Sequence, residues 1–398
     1  MRGASSPPKV MTVFGTRPEG IKMAPVIREL ERRAADGSVR QVVVSTGQHR
    51  EMLDQVLRLF GIRPDHDLDV MKGNQSPTQV AAAVISKLEP ILNAEKPDWV
   101  LVQGDATTVA AASLAAFYAR AKVGHVEAGL RTHDKWQPFP EEVNRRVADV
   151  IADRHFAPTE EASANLRREG VPDEQILVTG NTVIDAVRWA AAQPTPDWNL
   201  NGDQPRLERA LLAERLILVT AHRRESFGKP LEDVCLALRD LAGRYGDELQ
   251  IVYPVHLNPN VQRTARRVLG DVPNVCLLPP LDYLPLVHLM KRVRLVLTDS
   301  GGIQEEAPGL GKPVLVLRDV TERPEGIAAG TVRLVGTDRA RIVAEVTRLL
   351  DEPEAYERMA RAVNPYGDGR ASERIVRALL GEGVEPFRAG RAAEMALA

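Results

Sequence analysis

The sequence predicts an α/β protein of two doubly wound domains. Three observations carry this. Short β-rich runs alternate with longer helical stretches. The alternation breaks once, at 193–205, and then restarts. The 398 residues are 44% hydrophobic and 27% charged, ordinary globular composition with length for two or three domains.

Residues 10–14 read as a buried strand. Pro18 fits the first turn of the following helix, where a missing N–H costs nothing. Met23, Ile27, Leu30 and Ala34 then recur at spacings of four and three, one apolar helical face. A strand over 42–44 precedes a helix with Leu53, Val56, Leu57 and Phe60 on one side. Runs at 99–102 and 123–126 repeat the theme. QPTPDWNLNGDQP, at 193–205, leaves no room for a regular element. Beyond it, strands are expected at 216–219, 250–253, 275–278, 295–297 and 314–317. Strand alternating with helix implies a parallel sheet covered on both faces. The reading is therefore a tail over 1–8, one domain over 9–195 and a second over 206–370. Ligands of such sheets lie at the carboxyl ends of strands, so the cleft between the domains is the expected site.

The 52 basic and 54 acidic residues leave a net charge of −2. This argues against a nucleic-acid coat or a polybasic membrane binder. Cys235 and Cys276 form no C-x-x-C pair, which excludes a disulfide scaffold and a cysteine zinc site. The start, MRGASSPPK, lacks the apolar core of a signal peptide, and the uncharged stretch 106–119 is too short to span a bilayer. A soluble cytoplasmic protein is expected. No G-x-G continues to a third glycine after a strand, no G-K is followed by Ser or Thr, and H-E-x-x-H is absent. Hydride, ATP and zinc chemistry lose their sequence support, and no cofactor or metal is expected.

Polar clusters at strand ends stand in their place. In VFGTRPEGIK, Arg17 and Lys22 flank a helix start, where cations beside free backbone N–H groups suit a phosphate. A solvated Arg and Lys on an exposed turn is the other reading. In LTDSGGIQEE, Ser300, Gly301 and Gly302 open a helix whose N-terminus suits a diphosphate, with Glu306 placed for a ribose hydroxyl. Asp105, Glu127 and Glu141 are three acids at neighbouring strand and helix ends. His222 and Arg223 follow the first strand of the second domain, and His256 follows a later one. The set suits a nucleotide-diphosphate ligand carrying a group on which protons move, glycosyl transfer being one option.

The segments VFGTRPEGIKMAP, QHREMLDQ, VGHVEAGLRT, PFPEEVNR, VTGNTVIDA, VTAHRRE, YPVHLNP, LTDSGGIQEEAP, GKPVLVLRD, TERPEG and NPYGDG, spread from about Val10 to Leu380, resemble the non-hydrolysing UDP-N-acetylglucosamine 2-epimerases. The resemblance implies a GT-B architecture of two Rossmann-like halves, and a helix within 371–385 packing back across the domains. It implies a cytoplasmic homodimer serving cell-surface polysaccharide precursor synthesis. The implied reaction is elimination of UDP to a glycal-type intermediate and re-addition with C2 inverted. Asp105, Glu127, Glu141 and His222 look like the family's catalytic residues. Arg17, Lys22, Ser300, Gly301, Gly302, Glu306 and Arg323 look like its substrate contacts. Leu281 and Leu286 sit where some relatives have Gln and Phe near the uracil. Many members bind a second UDP-N-acetylglucosamine as activator, and Gln48, His49, Glu141, Arg223 and His256 match that candidate site. Glu51 and Asn74 replace the usual Gln and Arg there, so a reduced or absent activator effect is expected. Gln103 replaces a His beside Asp105, so the shell around that acid is altered. A GT-B glycosyltransferase, a hydrolysing epimerase, a UDP-glucose 2-epimerase and a non-catalytic nucleotide-sugar sensor are the rival readings.

Overall fold

The computed structural model describes residues 6–48, 50–73, 75–196, 198 and 204–390. Contacts divide them into two units. One holds the described residues up to Ala186 together with those from Tyr366 to 390. The other is Val187–Pro365.

The first unit contains β1 (Lys9–Phe14), β2 (Arg40–Ser45), β3 (His66–Asp67), β4 (Trp99–Gln103), β5 (Lys122–Val126), β6 (Arg154–Ala157) and β7 (Ile176–Val178). They form one parallel sheet in the order β3-β2-β1-β4-β5-β6-β7. Its helices are α1 (Arg17–Ala35), α2 (Arg50–Phe60), α3 (Pro77–Glu95), α4 (Thr107–Tyr118), α5 (Glu141–Ile151), α6 (Glu160–Arg168) and the first half of α7 (Thr182–Ala191). Met11, Val13, Val44, Val100 and Val102 pack under Val84, Leu88 and Ala112 in one apolar cluster. The strands are near-continuous apolar runs because both faces of a parallel sheet are covered.

The second unit carries α8 (Gln204–Leu212), β8 (Arg215–Thr220), α9 (Lys229–Tyr245), β9 (Leu249–Pro254), α10 (Pro259–Leu269), β10 (Val275–Leu278), α11 (Tyr283–Arg292) and β11 (Leu295–Thr298). It continues through α12 (Gly301–Gly309), β12 (Val314–Val316), α13 (Pro324–Ala329), β13 (Val332–Leu334), α14 (Arg339–Asp351) and α15 (Pro353–Ala360). The sheet is parallel in the order β10-β9-β8-β11-β12-β13. Ile217, Val219, Leu295, Leu297 and Leu315 pack against Leu238, Leu241 and Val346. Each sheet reverses strand order once, between β1 and β4 and between β8 and β11. Such switch points open a crevice at the strands' carboxyl ends.

Three expectations need correction. The boundary falls after Ala186, inside α7, rather than at 193–205. Composition marks a break in the apolar pattern, not where contacts change hands. Residues 366–370 belong to the first unit: the Tyr366 carbonyl accepts from Asn181 N at 2.6 Å. The helix expected within 371–385 is α16 (Ala371–Leu379), which is grouped with the first unit and lies on α1. Asp185 accepts from Ala371 N at 3.2 Å and Ser372 N at 2.8 Å, and Glu382 holds Arg33 through two 2.9 Å bonds. Within the tail expected over 1–8, Pro8 is held in place, its carbonyl accepting from Arg40 N at 2.8 Å, and residues 1–5 lie outside the described residues. The strands β3, β6, β7 and β13, of two to four residues each, were not among the expected runs.

Candidate active site

The β1/β4 switch point of the first unit opens into a cavity of about 440 Å³. Lys22, Gln48, Asp105, Glu127 and Glu141 line it, together with Glu19, Gln103 and Asn144. Asp105 stands two residues beyond β4, Glu127 directly follows β5, and Glu141 opens α5. The three expected acids thus share one chamber because adjacent parallel strands end on the same side.

Their surroundings differ. The Glu127 carboxylate accepts from Lys22 Nζ, from Gln103 Nε2 and, at 2.8 Å, from Asn181 Nδ2. Its φ is +66°, a left-handed conformation that a non-glycine residue holds only when its surroundings impose it. Asp105 pairs with Arg145, whose guanidinium also reaches Glu142 Oε2 at 3.3 Å, and the Asp105 carbonyl accepts from Asn144 at 3.0 Å. Glu141 keeps a buried Oε2 without a hydrogen-bond partner. One acid is thus bound by three donors, one is ion-paired, and one has a carboxyl oxygen unengaged.

The expected phosphate site at the start of α1 is not formed as drawn. Glu19 Oε2 accepts from Gly15 N at 3.1 Å and Thr16 N at 2.7 Å, while Thr16 Oγ1 caps Glu19 N at 3.4 Å. This capping box occupies the turn's amides, and Lys22 is committed to Glu127. Arg17 stands half-buried between the lining residues Thr16 and Pro18. Burial raises the Glu19 pKa to about 7 against its hydrogen bonds, and its Oε1 has no partner. Gln48 Oε1 accepts from Thr108 Oγ1 at 2.9 Å. His49 and Asn74 lie outside the described residues, as does the Glu51 side chain.

The second unit gathers its own cluster at the β8/β11 switch point. Asp299, buried just beyond β11, accepts from His222 N at 2.6 Å and Arg223 N at 2.7 Å, and its Oδ1 lies 3.1 Å from His222 Nδ1. Burial pushes the Asp299 carboxyl up, but His222 and the two amides outweigh it and hold it below the usual range. The His222 and His256 rings stack at 5.3 Å, and burial together with His222 lowers the His256 pKa. Ser300 N-caps α12, which opens with Gly301 and Gly302. A Cβ on Gly301 would stand 3.2 Å from Glu322 Oε1, whereas Gly302 faces open space. Glu306 is buried on the same helix. Arg323 is ion-paired with buried Glu305 rather than standing as a separate cation. Leu281 is buried and Leu286 half-buried at the start of α11.

Sequence reasoning assigned no role to Glu19, Asn181, Arg145 or Asp299, and marked Gln103 only as a departure from the family beside Asp105. The T-x-x-E spacing of Thr16 and Glu19 is a legible capping signal. The partners of Glu127 lie 24, 54 and 105 residues away, where no local spacing can show them.

The chain is similar to known proteins. A sequence model of the family described as UDP-N-acetylglucosamine 2-epimerase matches residues 30–380. The chain is 56% identical over 377 residues to the UDP-N-acetylglucosamine 2-epimerase of Escherichia coli K12, covering 93% of this chain and 98% of that protein. It is similar to a crystal structure of a UDP-N-acetylglucosamine 2-epimerase at TM-score 0.87 and 46% identity, over 96% and 100% of the two chains. It is similar also to the Neisseria meningitidis enzyme bound to UDP-GlcNAc, at TM-score 0.83 and 49% identity, over 94% and 100%.

Proposed function

Because this chain belongs to the UDP-N-acetylglucosamine 2-epimerase family, we propose that it interconverts UDP-N-acetylglucosamine and UDP-N-acetylmannosamine without hydrolysis. The observation that carries the reading is one cavity lined by Asp105, Glu127 and Glu141, three carboxyls in three different hydrogen-bonding states.

The C2 hydrogen of the sugar is not adjacent to a carbonyl, so simple enolisation cannot invert it. A base takes the C2 proton, the C1–O bond breaks, and UDP leaves with the bonding pair. A glycal-type intermediate remains. UDP adds back at C1 while an acid delivers a proton to the opposite face of C2. Inversion needs proton carriers on both faces, which several carboxyls around one sugar supply. Lys22 holds Glu127 in place. In the second unit, the α12 N-terminus at Ser300, Gly301 and Gly302 takes the diphosphate, whose developing charge it stabilises. Glu306 takes the ribose, Arg17 adds positive potential, Arg323 meets the nucleotide from its ion pair with Glu305, and the backbone near Leu281 and Leu286 meets the uracil. His222, fixed by Asp299, faces the same ligand with Arg223. The family resemblance also supports a homodimeric cytoplasmic enzyme in polysaccharide precursor synthesis, and Glu51 and Asn74, in place of the family's usual Gln and Arg, support little or no activation by a second UDP-N-acetylglucosamine at Gln48, His49, Arg223 and His256.

Proton NMR of the enzyme with UDP-N-acetylglucosamine in heavy water tests the reaction. Deuterium is expected at C2 of both epimers, with no accumulation of UDP and free sugar. An epimer formed without deuterium would remove the elimination route, and free N-acetylmannosamine would make the enzyme hydrolysing. Asp105→Asn, Glu127→Gln and His222→Asn are each expected to lower turnover by orders of magnitude with the circular dichroism unchanged. Near-normal turnover in all three would sink the residue assignment.

A further inference from the structure

His125 lies in β5 with its ring fully buried. Both ring nitrogens face oxygen. Nδ1 is 2.6 Å from Asp149 Oδ1, and Nε2 is 2.8 Å from the Gly104 carbonyl. A carbonyl oxygen only accepts, so Nε2 carries a proton. Asp149 is an ionised carboxylate also held by Arg131 at 2.7 Å, so it too only accepts. A ring that donates from both nitrogens is an imidazolium. Burial opposes the charge, but Asp149 outweighs it and raises the ring's pKa, while burial of Asp149 is in turn overcome by His125 and Arg131. The other charged or titratable groups here are His155, which faces the Asp149 carbonyl at 2.8 Å, and Glu169, which takes Arg131 at 2.7 Å.

The buried charge stands behind one peptide group. In a trans peptide, C=O and N–H point opposite ways. With its carbonyl on His125, the Gly104–Asp105 peptide directs the Asp105 N–H away from the ring. Gly104 and Asp105 both line the cavity. Gly104 has φ +78°, and a Cβ there would stand 3.4 Å from Glu127 Oε2. The turn therefore carries one acid and backs onto another.

We propose that His125 is a positioning residue held as an imidazolium, whose fixed charge orients and polarises the Gly104–Asp105 peptide and so sets the Asp105 carboxyl for proton transfer. The protonation state stands alone, and only the kinetic consequence rests on the epimerase reading.

Asp149→Asn separates charge from shape. Its amide can donate to Nδ1 while its oxygen still accepts from Arg131, so the ring keeps its Nε2 bond with a single proton. Histidine-selective 15N labelling of the full chain reads the protons directly. The His125 signals are assigned by their loss in His125→Gln or, if that variant does not fold, by their shift in Asp149→Asn. In the wild type both nitrogens stay protonated through the range in which an ordinary imidazole, with a pKa of about 6.5, loses its proton. In Asp149→Asn, Nδ1 is bare, kcat falls about ten-fold or more, and KM stays within about two-fold. A wild-type ring that loses a proton in that range overturns the proposal. So does an Asp149→Asn enzyme with a neutral ring and wild-type kcat. The NMR measurement needs no substrate, so its failure is distinct from failure of the epimerase reading.

Discussion

Glu19 puts two backbone N–H groups on one carboxyl oxygen and leaves the other buried without a partner. Burial moves its pKa from the ordinary 4.5 to about 7, with the Thr16 and Gly15 hydrogen bonds pulling the other way. The folded residue therefore keeps its proton over a range in which the unfolded one has lost it. Its contribution to stability is complete below about pH 4.5 and is lost as the pH rises through about 7, on the order of 3 kcal/mol in all. Glu19→Gln retains an acceptor for the turn amides and removes the titration. Urea unfolding at pH 5 and pH 8 should show the wild type losing stability relative to the variant. Curves that stay parallel would mean that Glu19 ionises like an exposed carboxyl.

At the scale of elements, the ends of strands place the chemistry, and the turns that follow them are tightly determined. The chain leaves β5 through Glu127 at φ +66° and Gly129 at φ +87°. A Cβ on Gly129 would stand 2.2 Å from the Ala162 carbonyl of α6, backbone that cannot swing aside. Gly129→Ala meets both the left-handed conformation and this clash, and should cost about 3 kcal/mol or more in urea unfolding. A loss below about 1 kcal/mol would show that the turn relaxes freely and does not hold Glu127 rigidly.

For the whole molecule, the last described segment completes the first unit. Tyr366, Ile375, Val376, Leu379 and Phe387 are all buried, and Phe387 N donates to Val178 O at 2.8 Å. Burying such side chains is worth about 1.5–3 kcal/mol each, so together they contribute about 10 kcal/mol, comparable to the full stability of a domain. A chain ending at Pro365 should lose the cooperative melting of its first unit by circular dichroism. An unchanged melting profile would mean that the segment is accessory. Among the described residues no helix is long and apolar enough to cross a membrane.

Much of this was legible from residue order. The alternation of apolar runs and helical faces determined two parallel-sheet units, because strand and helix periodicities are local. Asp105, Glu127, Glu141 and His222 were legible as strand-end or helix-start residues for the same reason. Tertiary structure alone decided the rest. Glu127 draws on Lys22, Gln103 and Asn181 from three distant elements, and His125 is charged only because Asp149 and Gly104 meet it on both sides. That residues 366–370 already belong to the first unit was equally invisible, although the family resemblance implied that the helix after them packs back. Hydrogen bonds between remote segments and desolvation depend on which surfaces pack together, and neither leaves a local pattern in the chain.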